Sequence, residues 1–277
     1  MMISFSLNNE LVQFEGNTDI SLLNFLRNEK DITSVKDGCS GQGTCGACLV
    51  EIDGKPKLSC TTSLKNLDGK KVLTLEGIPF NILDIIAKAF VKKGAVQCGF
   101  CTPGFLMRTK ILFDNNPTPT KEEIRKALSL NLCRCTGYAK IIDAIILASD
   151  ALTQKKEIVF TDNTGRVGTS LKKYQSYETA IGKRKFVDDL KIEGMYFSAL
   201  KYSEYPRAKV LHINLQNAEK IAGVIKIFTA KDILGEQNVG LIYKDWPLMI
   251  DKARLQIISA MLLLELLLKV KKLGERL

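Results

Sequence analysis

Apolar and polar residues alternate over residues 3–14 on either side of an Asn-Asn pair, which predicts a β-hairpin with a tight turn. The next segment, SLLNFLRNEK, has the apolar spacing of a short helix, with Thr18 or Asp19 as its N-cap. Further strands are predicted in CLVEID, KPKLSC and KKVLTLEG. Because these strands would wrap around one helix, we expect a small α+β domain over residues 1–77.

A helical periodicity follows. The run FNILDIIAKAFVKK predicts a first helix, and Thr102 can start a second. Thr120 and Glu123 have the spacing of a capping box that would begin a third helix, and YAKIIDAIILASDAL predicts a fourth. Short loops between these segments predict a compact four-helix bundle over residues 78–153.

The pattern changes again after the bundle. Residues 154–165 have the turn and charge character of a linker. Residues 166–250 return to strand patterns in MYFSALKY, KVLHINL and GVIKIFT, with helical pieces between them, which predicts an α/β segment. Residues 251–277 form a leucine-rich tail that is interpreted as a helix or as out-of-frame sequence.

Length and charge narrow the class of protein. The 277 residues suit about two ordinary domains. The net charge of +10 is spread over the chain without aromatic interleaving, which favours a solvated surface over a nucleic-acid site. The start has no secretory pattern, and no apolar run reaches the length of a membrane span, so we expect a cytoplasmic protein that does not enter the membrane.

Eight cysteines in that reducing compartment are better explained as metal ligands than as disulfides. They fall into two groups of four, one in each predicted domain. The groups are Cys39, Cys45, Cys48 and Cys60, followed by Cys98, Cys101, Cys133 and Cys135.

Four thiolates fit either Zn(Cys)₄ or an iron–sulfur cluster. Three closely spaced cysteines in a glycine-rich loop, GCSGQGTCGAC, can wrap a [2Fe–2S] cluster and direct backbone N–H groups at its sulfurs. The pair Cys133-x-Cys135 is too close for an unstrained disulfide, but two irons that take two thiolates each can use it. We therefore favour iron–sulfur over zinc and over buried structural cysteines.

The motifs GCSGQGTCGAC and QCGFCTPG…NLCRCTGY resemble the xanthine dehydrogenase and aldehyde oxidase family, the molybdenum hydroxylases, over residues 1–153. A weaker resemblance, from VGTSLKKYQSYETAIGKRKFVDDL to Pro247, is to the opening hammerhead domain of the family's molybdenum-binding part. The resemblance implies a β-grasp ferredoxin-like domain, a four-helix [2Fe–2S] domain and a partial α/β hammerhead-like segment.

The same resemblance implies an oxidoreductase role. Electrons would pass from a molybdopterin site through the helical-domain cluster and then the ferredoxin-like cluster to an acceptor such as a flavin. Gln97 corresponds to a position that contacts the pterin cofactor in the family. Arg134 is interpreted either as a hydrogen-bond donor near the sulfurs or as a plain surface residue. No catalytic residue is assigned to this chain.

Three features depart from the family pattern. The first cysteine spacing is one residue longer than usual, so the loop must bulge, and a glycine is the expected position. No flavin domain precedes the hammerhead-like segment, as in members that lack flavin or keep FAD on a separate subunit. The molybdenum-binding residues of the family would lie beyond residue 277, so we expect a truncated chain without that site, with molybdopterin on the missing part or on a partner.

Two other functions are compatible with these residues: a self-sufficient two-cluster ferredoxin-like carrier, and a zinc-stabilised binding module.

His212, the single histidine, is interpreted as a structural residue in a strand. Asp188-Asp189 is predicted to be a solvated turn. Residues 1–153 are expected to form a complete folding unit.

Overall fold

The computed structural model describes residues 2–160, 164–205, 208–250, 255–256 and 262–268. Contacts divide the chain into two units, Met1–Leu190 and Lys191–Leu277. Both cysteine groups lie in the first unit.

The predicted hairpin is confirmed and forms one side of a five-stranded sheet. Asn8 and Asn9 have φ values of 53° and 71°, which the two-residue turn of this hairpin requires. The sheet order is β2-β1-β5-β3-β4, and β1 runs parallel to β5 while the other neighbours are antiparallel. The strands are β1 Met2–Leu7, β2 Glu10–Glu15, β3 Leu49–Ile52, β4 Lys55–Leu58 and β5 Lys71–Leu73.

Helix α1, Leu22–Asn28, packs on this sheet, which confirms the predicted β-grasp arrangement. The Phe25 ring meets the Phe5 ring edge-on, with ring centres 5.8 Å apart. The predicted N-cap is wrong, because the Ser21 side chain accepts the Asn24 N–H at 3.2 Å. Thr18, one of the two predicted caps, instead accepts hydrogen bonds through its carbonyl from the loop after β4.

The four predicted helices are confirmed, including the Thr120–Glu123 capping box. Their shared core contains side chains at most 1% exposed, among them Ile86, Phe90 and Leu106. The helices are α2 Phe80–Lys92, α3 Thr102–Asn115, α4 Lys121–Ala127 and α5 Ala139–Thr153.

An ion-pair cluster joins α3 to the sheet. Lys110 of α3 lies 2.6 Å from the Glu51 carboxylate in β3 and 2.8 Å from Asp114. Burial acts to lower the pKa of Lys110, but the two carboxylates outweigh it and the pKa is raised. The two cysteine domains are therefore packed together by charge as well as by apolar contacts.

The chain after the predicted linker returns to this first unit. A sixth helix, α6 Ser176–Ala180, packs against α2 and α3. Asp189 is 3% exposed and ion-paired, so the prediction of a solvated turn is wrong for Asp189, whereas Asp188 is exposed. The ion-pair partners of Asp189, Arg27 and Lys36, lie more than 150 positions earlier in the sequence.

The second unit contains a three-stranded antiparallel sheet in the order β6-β12-β8. Its helix and its two short strand pairs are also described. The elements are β6 Phe197–Tyr202, β7 Ala208–Lys209, α7 Gln216–Glu219, β8 Val224–Phe228, β9 Asn238–Val239, β10 Trp246–Pro247, β11 Leu255–Gln256 and β12 Leu262–Leu268.

Two predictions for this unit are wrong. The leucine-rich residues 262–268 form a strand, not a helix, because they fill the space between two strands whose backbones they pair with. The rest of the tail, apart from the short strand β11, lies outside the described residues. His212 is exposed and is not in a strand, because only Lys209 of the predicted strand KVLHINL lies in β7. Among the described helices, none has both the length and the hydrophobicity that a membrane crossing requires.

Candidate iron–sulfur sites

The first cysteine group meets at one end of the β3–β4 hairpin. Cys48 directly precedes β3, and Cys60 lies in the short turn that follows β4. The thiols approach in two pairs, Cys39 with Cys45 and Cys48 with Cys60, each within hydrogen-bonding reach. Cys45 and Cys48 are buried, and the other two are partly exposed.

Left-handed backbone shapes the loop that holds three of these thiols. Ser40, Gly41 and Gly43 have φ values of 51°, 77° and 72°, so the chain turns repeatedly between Cys39 and Cys45. These residues lie within the cysteine interval that is one residue longer than the family pattern.

The loop directs backbone N–H groups at sulfur. Burial acts to raise the pKa of Cys39, but the N–H groups of Thr44 and Cys45 hydrogen-bond to its sulfur and lower the pKa to about 6. Burial and the neighbouring Cys48 thiol raise the pKa of Cys60 to about 12. The site therefore has donors placed for negative sulfur on its Cys39 side.

The second group meets at the N-terminus of α3. Cys98 and Cys101 lie in the turn that starts this helix, and the other two cysteines lie in the loop before α5. The Cys135 and Cys98 sulfurs are 3.5 Å apart, and Cys101 is within hydrogen-bonding reach of Cys133. The closely spaced cysteines thus have different partners, and the four thiols again form two pairs.

Tyr138 shapes the loop that carries Cys133. Its hydroxyl accepts the Cys133 N–H at 2.9 Å and donates to the Asn131 carbonyl at 3.0 Å. The Thr136 hydroxyl lies 3.1 Å from the Cys133 sulfur. Burial acts to raise the pKa of Cys133, but hydrogen bonds from Thr136 lower it. The sequence alone did not indicate Tyr138 or Thr136, although both belong to the CTGY motif.

The two cysteine loops touch each other. The Leu132 N–H donates to the Cys45 carbonyl at 2.8 Å, and Asn131 donates from its side chain to the Gly46 carbonyl at 3.1 Å. Arg108 of α3 holds the buried Asn131 side chain with a 3.0 Å hydrogen bond. A backbone hydrogen bond therefore connects one cysteine of the first group to the residue next to Cys133.

Gln97 and Arg134 are both exposed beside the second group. The backbone carbonyl of Gln97 accepts a hydrogen bond from the Lys173 ammonium. It lies at an open cleft of about 640 Å³ with five lysines in its lining, namely Lys92, Lys93, Lys140, Lys172 and Lys173. The roles of Gln97 in pterin contact and of Arg134 near the sulfurs remain predictions.

The donor sets fit two-iron clusters. Each group offers two close pairs of thiols, and a [2Fe–2S] cluster takes two thiolates on each iron. In the part of the chain that the structure describes, no three Cys, His, Asp or Glu side chains converge as ligands of a single ion. Each domain therefore brings together four thiols as two close pairs, a donor set that suits a [2Fe–2S] cluster.

Comparison with protein families agrees with this arrangement. A family model described as a 2Fe-2S iron-sulfur cluster binding domain matches residues 8–91. A second, the [2Fe-2S] binding domain, matches residues 74–146. A third, the a/b hammerhead domain of aldehyde oxidase and xanthine dehydrogenase, matches residues 181–259.

Individual proteins are similar over different lengths. The chain is 44% identical to the nicotinate dehydrogenase small FeS subunit of Eubacterium barkeri, over 52% of this chain and 91% of that one. It is 34% identical to the aldehyde oxidoreductase of Megalodesulfovibrio gigas, over 80% of this chain but 26% of that one. The crystal structure of the Desulfovibrio desulfuricans aldehyde oxidoreductase superposes with a TM-score of 0.89 at 29% identity, and covers 99% of this chain and 32% of that one. The chain thus spans most of the small subunit and about a third or less of the aldehyde oxidoreductases.

Proposed function

The chain belongs to the xanthine dehydrogenase and aldehyde oxidase family of molybdenum hydroxylases, and on that premise we propose that it is the iron–sulfur electron-transfer component of such an oxidoreductase. The observation that carries the proposal is the pairing of thiols in two sites, each inside a domain matched by a [2Fe–2S] family model.

Each cysteine group would hold one cluster. Cys39 with Cys45 and Cys48 with Cys60 would bind the two irons of the first, and Cys98 with Cys135 and Cys101 with Cys133 those of the second. When bound, a [2Fe–2S] cluster accepts and releases one electron at a time. The chain's contribution is to hold the thiolates, to direct N–H groups at sulfur, and to keep the two loops in contact through Leu132 and Cys45.

Exposure supports an order of electron transfer. Cys98 and Cys135 are exposed, whereas Cys45 and Cys48 of the first group are buried. The exposed edge lies next to Gln97 and the lysine-lined cleft, whose positive charge suits an anionic cofactor. We infer that electrons enter at the second site from a molybdopterin that Gln97 contacts, and leave from the first site.

Partners and location follow from this role. The molybdopterin would be held by a molybdenum-binding domain or subunit, and FAD by a separate flavin subunit that accepts the electrons. Thiolate ligands in place of disulfides favour the reducing cytoplasm as the site of action.

Metal analysis and electron paramagnetic resonance test the proposal. Protein purified without oxygen should contain about four irons and four acid-labile sulfides per chain, two of each per cluster. The reduced protein should give two distinguishable resonance signals. Stoichiometric zinc without iron would instead support a binding module, and a single signal would contradict the two-site arrangement.

A further inference from the structure

Residues 176–189, which we call the clasp segment, contact both cysteine domains. At its start the Tyr177 hydroxyl donates to the Asp84 carboxylate of α2 at 2.7 Å. At its end Asp189 binds Lys36 and Arg27, which belong to the first domain. The segment follows the linker and lies outside both predicted cysteine domains, yet it packs within the same unit.

The contact at Asp189 is a buried ion pair. The Lys36 ammonium lies 2.5 Å from the Asp189 carboxylate, and each side chain is 1% exposed. Arg27 reaches the other carboxylate oxygen at 2.8 Å, and the Phe186 N–H donates to Asp189 at 3.0 Å. Burial acts to raise the pKa of Asp189, but the Lys36 ammonium and these donors outweigh it and lower the pKa. Removing one charge of such a pair leaves the other buried without compensation.

Lys36 connects this ion pair to the first cysteine loop. It lies three residues before Cys39, and its backbone N–H donates to the Ala47 carbonyl on the far side of the loop at 3.3 Å. Its ammonium is also 4.9 Å from the centre of the Phe186 ring. The end of the clasp segment is therefore attached to the base of the loop that would hold the first cluster.

Phe186 connects the clasp segment to the second loop. Its ring meets that of Phe100 edge-on, with centres 5.3 Å apart, and Phe100 lies between Cys98 and Cys101 in the sequence. The Phe100 ring also lies close to the first loop, because a Cβ added to Gly38 would be 3.4 Å from it. Phe100 thus contacts both cysteine loops and the clasp segment.

Close backbone packing fixes the middle of the clasp segment. Gly99 has a φ of +82° and no space for a Cβ, because the methyl group of the buried Thr179 occupies that position. Gly182 packs as closely on Ser34, because a Cβ added to Gly182 would be only 2.5 Å from the Cβ of Ser34. The segment therefore contacts the second loop and the chain ahead of the first loop at fixed points.

We propose that the clasp segment fixes the position of one cysteine loop relative to the other, and thereby sets electron transfer between the two sites, with Asp189 as the positioning residue. Phe100 is the shared contact through which a shift of one loop reaches the other. The inference rests on the proposed function, since it concerns the clusters that the two loops would hold.

The test compares Asp189→Asn with Asp188→Asn in the full chain. The variant Asp189→Asn removes a buried charge without changing shape, and Asp188, whose side chain is 65% exposed, binds the same Arg27. We expect Asp189→Asn to retain iron and sulfide, to alter the magnetic coupling between the reduced clusters, and to slow electron equilibration between them several-fold. The control Asp188→Asn should match wild type in both.

If Asp189→Asn fails to fold, a second variant tests the inference. Phe186→Leu keeps the charges of Lys36 and Asp189 but removes the ring contacts with Phe100 and with the Lys36 ammonium, and should also change the coupling at full iron content. If the variants that fold melt earlier but keep wild-type coupling and equilibration rates, the clasp segment is structural only and the inference is overturned. Wild-type protein without two clusters would overturn the proposed function itself, and the inference with it.

Discussion

Gly46 lies where the two cysteine loops touch, between Cys45 and Cys48 in the first of them. Its φ is +70°, and an added Cβ would lie 2.9 Å from the Asn131 side-chain nitrogen and also against the Leu130 carbonyl. The Asn131 side chain is held in place, because it is buried and bonded to Arg108. The contact between the loops therefore depends on a residue without a side chain.

Gly46→Ala should destabilise the protein by roughly 2–4 kcal/mol, since it combines left-handed strain with a clash against backbone. Gly41→Ala is the control, because Gly41 has a φ of +77° but no atom within 4 Å of an added Cβ. That variant should lose about 1 kcal/mol. Denaturant unfolding under anaerobic conditions measures both, and equal losses would show that the loop contact is not tight.

The cysteine groups can be tested one residue at a time. Cys48→Ser should abolish only the resonance signal of the first site, and Cys135→Ser only that of the second, because the thiols pair within each domain. Serine has nearly the same shape as cysteine but is a poor ligand for this soft site. Loss of both signals from either variant, with the fold intact, would contradict the grouping.

Spacing predicted the grouping of the cysteines, because each group lies in short motifs within one segment of the chain. It could not predict Asn131 or Asp189, whose partners Gly46 and Lys36 lie 85 and 153 residues away in the sequence. A polar residue of this kind looks like any surface residue until the fold supplies its partner. The prediction of a solvated turn at Asp189 was wrong for this reason.

At the scale of elements, α3 is the connection between the two cysteine domains. It carries Cys101 at its N-cap, Arg108 against the loop contact, and Lys110 against β3. One helix thus places the second group while it is attached to the strand that follows Cys48.

Lys110→Met should cost roughly 1–3 kcal/mol of unfolding free energy, because it leaves the Glu51 carboxylate, 13% exposed, without its partner. Lys65→Met removes a surface pair with Asp19 and should cost at most about 1 kcal/mol. Urea titrations at neutral pH compare the two. A loss at Lys110 no greater than at Lys65 would show that the pair does not hold α3 to the sheet.

The Lys110 contribution should also depend on pH. Because the folded protein raises the pKa of Lys110 above its ordinary value of 10.5, the stabilisation is complete below that value. It is lost as the pH rises through the raised pKa. The difference in unfolding free energy between wild type and Lys110→Met should therefore be constant near neutral pH and shrink above 10.5. A difference that grew with alkali would contradict the sign of the shift.

The helices were predictable because local periodicity and caps define them, as at Thr120 and Glu123. The strand β12 was not, because a run of leucines suits a helix or a buried strand equally. Pairing with β6 and β8 decides between them, and the paired residues of those strands lie about 35–70 positions earlier. The N-cap of α1 was displaced by two or three residues for a related reason, since the loop after β4 engages Thr18.

At the scale of the whole molecule, the first compact unit ends at Leu190, not at the end of the four-helix bundle. A chain that stops at Leu190 should therefore keep both clusters and melt near the temperature of the longer protein. A chain that stops at Thr153 should melt earlier, because Lys36, Gly99 and Phe100 lose their contacts with the clasp segment. Calorimetry and limited proteolysis distinguish the two. Equal melting would support the expectation from sequence that residues 1–153 are complete.

The clasp segment is covalently attached to the two cysteine domains, so dilution of the protein should not weaken its contacts with them. Its contacts with Lys36 and Phe100 form within one chain, so linker length sets their effective concentration, which reaches the millimolar range for short flexible connections. The occupancy of those contacts is then independent of how much protein is present. A single cut in the described residues 164–173 would convert the same contacts into a bimolecular equilibrium, and communication between the two sites would become dependent on protein concentration.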